Sequence, residues 1–275
     1  MRLYKQYLVN NKCYIKGQKM TPIGIMIHST GANNPNLKRY VQPDDGRLGV
    51  NKYNNHWNQY TPGGKSVCTH AFIGKLEDGT VATYQTLPFD IIGWHSGSGS
   101  KGNANYLGYI GFEICEDNLE DSDYFNKVYK EAVEFCCYLC ETYNIPVNKI
   151  ICHSEGYKLG IASNHADVMH WFPKHNKNMD MLRSDVNDLI KKHAEDVNDE
   201  NKNEGNKNIK RYNTLAEIPS FAKDTIKKMI FKGFISGSGK KDDEGNPADL
   251  NLSYDMLRIF VTNDRAGLYD LKTIE

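Results

Sequence analysis

Apolar and polar positions along this chain follow two different periods, and the switches between them mark out its elements. Short apolar runs bounded by turn residues predict buried strands at residues 24–28, 109–114 and 150–153. Two further runs, 70–73 and 81–84, flank Glu77-Asp78-Gly79-Thr80, a turn signal that predicts a hairpin. The period then lengthens. From 123 to 143 apolar residues recur at helical spacing (Phe125, Val128, Tyr129, Ala132, Val133, Cys136), with Asp121 or Ser122 available as cap and Pro146 beyond the end. Residues 179–193 form a second amphipathic helical pattern. Strands alternating with helices predict an α/β layer structure with helices on both faces of a sheet.

The pattern stops after residue 193. Residues 194–208 (AEDVNDENKNEGNKN) are rich in Asn and charge, carry no aromatic residue and have Val197 as their single large aliphatic. Such a stretch cannot bury enough apolar surface to offset the entropy of ordering, so it is expected to be a flexible linker. It separates a first domain, 1–193, from a small helical module, 209–275. That module holds two short helical patterns. One opens at Ile218-Pro219-Ser220 and uses Phe221, Ile226, Met229 and Ile230; the other covers 253–266, with Ser253 as cap and Met256, Leu257, Ile259, Phe260 and Val261 as its stripe.

Composition narrows the partners. The chain has 275 residues, and its 34 basic residues are matched by 34 acidic ones, so no global charge points to nucleic acid or an anionic membrane. Basic and acidic residues also nearly balance within 209–275. No apolar run approaches the roughly 18 residues needed to span a bilayer, and the N-terminus lacks a signal peptide's apolar stretch. Synthesis in the cytoplasm, with any external destination reached by another route, is the expectation. Seven cysteines are an odd number for a disulfide framework. Cys136, Cys137 and Cys140 fall on a helical pattern and read as buried thiols, since free cysteine behaves as a small hydrophobe.

The chemistry concentrates at strand ends. His28 and His153 each close an apolar strand, and Asp167 follows His153 at loop distance. Two imidazoles and a carboxylate are a ligand set for catalytic zinc, with one coordination position open. The helical H-E-x-x-H pattern of metalloproteases is absent. Glu113 is a carboxylate inside an otherwise apolar strand. Desolvated beside a metal, it would have a raised pKa and could serve as general base.

With these residues in view, the sequence resembles the zinc N-acetylmuramoyl-L-alanine amidases of the type-2 amidase family, which also includes peptidoglycan recognition proteins. The resemblance covers about residues 23–183 and rests on IMIHST, on SVCTHAFIGKLEDGTVATYQTLPFDIIGWHSG, on NYLGYIGFEI and on ICHSEGYKLGIASNHADVMHWF. It implies a central mixed β-sheet flanked by helices, with His28, His153 and Asp167 as zinc ligands and Glu113 as the catalytic glutamate. His165 falls where many members place a lysine and the autolysin-like branch a histidine; it would stabilise the oxyanion. His95 matches a histidine at the substrate groove, and His70, recurring in the hairpin, is a further expected substrate contact. His170, His175 and His193 read as surface residues, and Trp171 as packing for the loop that carries Asp167.

The implied reaction is metal-assisted hydrolysis of the amide between the lactyl group of N-acetylmuramic acid and L-alanine in bacterial peptidoglycan. The C-terminal module looks like the helical modules appended to phage and clostridial wall lysins, which implies a wall polymer as partner through Tyr212, Phe234, Tyr254 and Tyr269. Together these features imply a phage or prophage endolysin, acting on the wall after release from the host cytoplasm. A non-catalytic recognition module on the same fold, and a zinc peptidase cutting within the stem peptide, are the alternatives. Neither nucleic acid nor membrane is an expected partner, and the oligomeric state is open.

Overall fold

The computed structural model describes residues 1–206, 210–265 and 269, leaving aside the side chains of 196–206. The chain divides into two compact units, Met1–Glu195 and Asp196–Glu275.

The first unit is built on six strands, β1 (Leu3–Lys5), β2 (Gly24–Ser29), β3 (Ala71–Lys75), β4 (Val81–Gln85), β5 (Tyr109–Ile114) and β6 (Ile150–Cys152). They lie in the order β1-β4-β3-β5-β2-β6. Only the β3–β4 hairpin is antiparallel; the other neighbours are parallel, so the sheet is mixed. Helices accompany it: α1 (Lys12–Lys16), α2 (Ser122–Tyr143), α3 (His153–Leu159) and α4 (Met179–Asn206).

Side-chain alternation along the strands sorts the two faces. Ile25 and Ile27 of β2, Ala71 and Ile73 of β3, Ile110, Phe112 and Ile114 of β5, and Ile150 and Cys152 of β6 all point one way. They form the main core with Phe125, Val128, Ala132, Phe135 and Cys136 of α2 and Leu182 and Val186 of α4. The opposite face carries Met26, Phe72, Tyr84, Tyr109 and Ile151, which pack into smaller clusters. By the same alternation His28 and Glu113 stand on this second face. Helix α2 starts where the cap signal places it: the Asp121 side chain accepts the Tyr124 N–H at 3.0 Å. It ends at Asn144, which takes the left-handed conformation tolerated by Asn (φ 53°). All seven cysteines are free and buried.

Three expectations shift. Helix α4, expected to end at His193, continues to Asn206, so most of the presumed linker 194–208 has helical backbone; 207–209 lie outside the described residues. The stretch contains no proline to interrupt a helix, and its one glycine, Gly205, lies next to the last helical residue. His153, expected to close a strand, is instead the first residue of α3. The short β1 and α1 carried too few periodic positions to be read.

In the second unit, α5 (Ser220–Phe231) and α6 (Tyr254–Arg265) share a core of Leu215, Ile218, Ile226, Met229, Leu250, Leu252, Leu257 and Val261. The Ser253 hydroxyl accepts the Met256 N–H at 3.2 Å, as a cap should, and Ala266, the expected last residue, lies outside the described residues. Tyr212 is 6% exposed and belongs to this core, so its ring cannot offer the surface contact expected of it. Phe231, at 91%, is far more exposed, and Phe234 and Tyr254 stand about half exposed. Among the described residues no helix is long and apolar enough to cross a membrane.

Trp171 is fully buried, stacked on Tyr124 at 6.3 Å and edge-on to Phe125 at 5.4 Å. Trp171→Ala is expected to destabilise the first unit by about 3–5 kcal/mol. Urea unfolding followed by tryptophan fluorescence checks this, because the remaining Trp57 and Trp94 both lie in that unit. A loss below about 1 kcal/mol would show that the indole is dispensable.

Candidate metal centre and active-site cleft

Register builds the site. Strands β5, β2 and β6 are adjacent and parallel, and His28 is paired directly with Glu113 while Ile27 is paired with Cys152. The next residue, His153, therefore arrives beside His28 at the carboxyl ends of these strands. A guanidinium clamp holds that strand end: Arg183 donates to Ile150 O at 3.0 Å and to both carboxylate oxygens of Glu155 at 3.1 Å. Glu155 Oε2 in turn accepts the Cys152 N–H at 3.1 Å. Asp167 comes in on the loop that Trp171 anchors.

The three donors converge. His28 Nδ1 and His153 Nδ1 are 3.0 Å apart, and Asp167 Oδ2 is 3.3 Å from the first and 3.5 Å from the second. The far sides of both rings decide what faces inward. His95 Nε2 lies 3.1 Å from the Tyr109 carbonyl, which can only accept, so this nitrogen carries the proton. His95 Nδ1 then accepts from His28 Nε2 at 2.9 Å, which leaves His28 Nδ1 bare. On the other ring, His153 Nε2 donates to Ser163 Oγ at 3.3 Å, while that hydroxyl donates to Ser96 O at 3.2 Å. His153 Nδ1 is bare as well. Two lone pairs and a carboxylate oxygen thus point at one another, an arrangement that repels unless a cation lies among them. For tetrahedral zinc with ligand bonds of about 2.0–2.1 Å, donors should stand about 3.3 Å apart. The three observed spacings bracket that value, so these residues fit zinc.

Electrostatics agree with neutral imidazoles and an ionised acid. Burial lowers the His28 pKa, with the nearby Asp167 carboxylate opposing it. Burial, reinforced by His28, lowers that of His95. Burial alone would raise Asp167, but the two imidazole edges that face it oppose this and hold its carboxyl well below the usual range, so the acid is ionised. Glu113 goes the other way: burial, with Asp167 and Glu116 nearby, pushes it well above an ordinary glutamate. Its Oε2 is shielded from solvent and has no hydrogen-bond partner.

These groups open onto one cleft of about 1050 Å³, lined by His28, His153, Asp167, Glu113, His95 and His165, among others. His165 is exposed, its ring centre 4.6 Å from that of His153 and its Nδ1 3.1 Å from Ser163 Oγ. The structure does not bring His70 to the cleft. Fully buried, it accepts the Gly111 N–H on Nδ1 at 3.0 Å and donates from Nε2 to Ile91 O at 2.8 Å, so neither nitrogen is free for substrate. His95 lines the cleft, but both its nitrogens are committed to His28 and Tyr109, so it orients the His28 ring. Gly111 makes room for it, since a Cβ there would stand 2.4 Å from His95 Cγ. Two of the three presumed surface histidines are built in: His170 Nε2 meets Glu116 Oε1 at 2.9 Å, and His175 stacks on Phe125 at 4.1 Å.

Ser163, Arg183 and Glu155 escaped the sequence reading. Their spacing carries no signal, and only the Arg183–Glu155 charge complementarity across the fold would have hinted at a pair.

Residues 18–173 match the family described as N-acetylmuramoyl-L-alanine amidase. The chain belongs to this family. Over 72 residues it is 40% identical to the N-acetylmuramoyl-L-alanine amidase CwlH of Bacillus subtilis (strain 168), an alignment covering 26% of this chain and 27% of that protein. Among solved structures, the catalytic domain of XlyA is 21% identical with a TM-score of 0.46, covering 68% of this chain and 99% of that one. The Staphylococcus aureus hydrolase AmiA in complex with its ligand is 17% identical with a TM-score of 0.43, covering 69% of this chain and 82% of that one.

Two outcomes follow for this amidase-family site. Gly111→Ala, by displacing His95, and Ser163→Ala, by removing the acceptor for His153, should each weaken zinc affinity about 10–100-fold, read by competition with a chromophoric chelator. His70 gives a pH signature. Burial lowers its pKa from 6.5 to about 4, so the unfolded chain takes up a proton that the folded one refuses. The stability it contributes is present above pH 6.5 and is lost as pH falls toward 4, by about 3 kcal/mol. Unfolding free energies of His70→Gln should show an acid loss smaller by about that amount; an unchanged slope would place the titration elsewhere.

Proposed function

We propose that this chain is a zinc-dependent N-acetylmuramoyl-L-alanine amidase that hydrolyses the amide between the lactyl group of N-acetylmuramic acid and L-alanine in peptidoglycan. The observation that carries this reading is the pairing, in one cleft, of three bare donors at tetrahedral spacing with the unpartnered Glu113 carboxylate. When bound by His28, His153 and Asp167, the metal supplies Lewis-acid polarisation of the scissile carbonyl and acidifies water. The Glu113 carboxylate accepts the attacking water's proton and passes it to the leaving amine of L-alanine. Burial and the neighbouring acids make this carboxylate a stronger base than an ordinary one. His165 donates an N–H to the developing oxyanion, its ring positioned by the contact of Nδ1 with Ser163 Oγ. His95 and Ser163 keep the ligand rings in the tautomer the metal requires.

We propose further that the enzyme acts on the bacterial cell wall in the manner of a phage or prophage endolysin, with the C-terminal unit taking a wall polymer. Exposed Phe231, Phe234 and Tyr254 support this, since balanced charge favours aromatic and hydrogen-bonding contacts over electrostatic capture. Deleting 209–275 should then reduce retention on purified walls more than cleavage of small soluble muropeptides.

Digestion of purified peptidoglycan followed by mass analysis tests the activity. Peptides beginning with L-alanine and lactyl-bearing glycan are expected; new reducing sugar ends would overturn the reading. Chelation should abolish turnover and zinc restore it. Glu113→Gln should lower kcat about 10²–10⁴-fold and His165→Ala about 10²–10³-fold, both with full zinc content. Near-normal turnover in either variant would remove the role assigned to that residue.

A further inference from the structure

One flank of the cleft carries an unbalanced positive charge. Arg39 and Lys65 line the cleft directly, beside Ser66 and Trp94. Helix α1 adds two more cations at that edge. Lys12 Nζ is 3.5 Å from Ser66 Oγ and 5.5 Å from the Trp94 ring centre, and Lys16 Nζ is 4.8 Å from the same ring. Lys12 also lies 5.6 Å from the Tyr60 ring. Among the described residues none of these four cations is ion-paired. The only acidic residues lining the cleft, Glu113 and Asp167, are both at the metal centre.

The chain as a whole is neutral, so this excess is local. Lys12 and Lys16 are four residues apart on a single-turn helix, where like charges destabilise. Both crowd one indole with no acid between them. Focused by a cleft wall, such a cluster raises the local concentration of anionic ligands.

We infer that this flank is a subsite for carboxylates of the peptide stem, and that it favours stems whose carboxylates are free over stems in which they are amidated. The inference rests on the amidase reading. Lysine ammonium groups on flexible stems suit a carboxylate whose position varies with the residue that bears it, and the Trp94 and Tyr60 faces hold those stems over the cleft edge. An amidated stem presents neutral groups to the same cations and leaves their mutual repulsion unrelieved.

The test uses the full chain carrying Glu113→Gln, loaded with zinc, and two muropeptides that differ only in free against amidated carboxylates. Calorimetry should show the free-acid form binding roughly tenfold tighter at low salt, the sum of a few exposed ion contacts. The preference should shrink at about 1 M salt, where the screening length is about 3 Å. It should also shrink toward unity in the added triple variant Lys12→Gln/Lys16→Gln/Lys65→Gln. Equal affinity for the two forms, or a preference the triple variant leaves intact, would overturn the subsite. Hydrolysis by the unsubstituted chain is run alongside. Cleavage of both forms with equal affinity sinks the subsite alone, whereas cleavage of neither at the lactyl–alanine bond sinks the amidase reading and the inference with it.

Discussion

Everything at the cleft depends on the in-register parallel pairing of β2 with β5 on one side and β6 on the other. A one-residue slip in a strand turns every side chain to the opposite face. Here that would send His28 or Glu113 into the apolar layer under α2. The register is held by bulk: Ile25, Ile27, Ile110, Phe112 and Ile114 pack with α2, and a slip would put His28 in the place of Ile27 or Glu113 in the place of Phe112 or Ile114, burying a polar group in the apolar layer. The core that stabilises the sheet is therefore also what aims the catalytic groups.

On the second face the polar groups are satisfied in layers. Tyr109 O fixes His95, His95 fixes His28, Ser96 O fixes Ser163, and Ser163 fixes His153. Each link ends on a backbone carbonyl, a group that cannot change its donor or acceptor character. This is why the inward-facing nitrogens are defined before any metal arrives, and why a cation is the natural resolution of three facing lone pairs. Glu113 Oε2, among the groups of the cleft, is left without a partner. In a buried setting that omission costs stability, as expected where a group is kept for chemistry.

Charge is distributed unevenly around this centre. The acids of the cleft sit with His28 and His153, and cations without an ion pair among the described residues sit along the flank formed by α1 and the loop around Lys65. A neutral chain can hold such a division because its surface charges elsewhere pair locally, as Lys174 does with Glu120 and Lys19 with Asp90. The cleft thus presents two different environments to one extended substrate.

Much of this was legible in the residues. Periodicity located five of the six strands and the long helices, because apolar runs and amphipathic stripes are properties of local sequence. Strand-end histidines, an acid within loop distance and a glutamate in an apolar strand pointed to four groups that the fold brings into one cleft. Tertiary structure decided the rest. Whether a histidine opens onto the cleft, like His165, orients another ring, like His95, or is locked between backbone groups, like His70, depends on which groups stand opposite each nitrogen, and no spacing encodes that. The same holds for Ser163 and for Arg183 with Glu155, whose partners are remote or set by the fold. The extension of α4 past His193 is not legible in the pattern, because residues 194–206 carry no apolar stripe of helical period. Sequence by itself determined which groups are available and which face each strand would hide; only the packed chain decided which lone pairs meet.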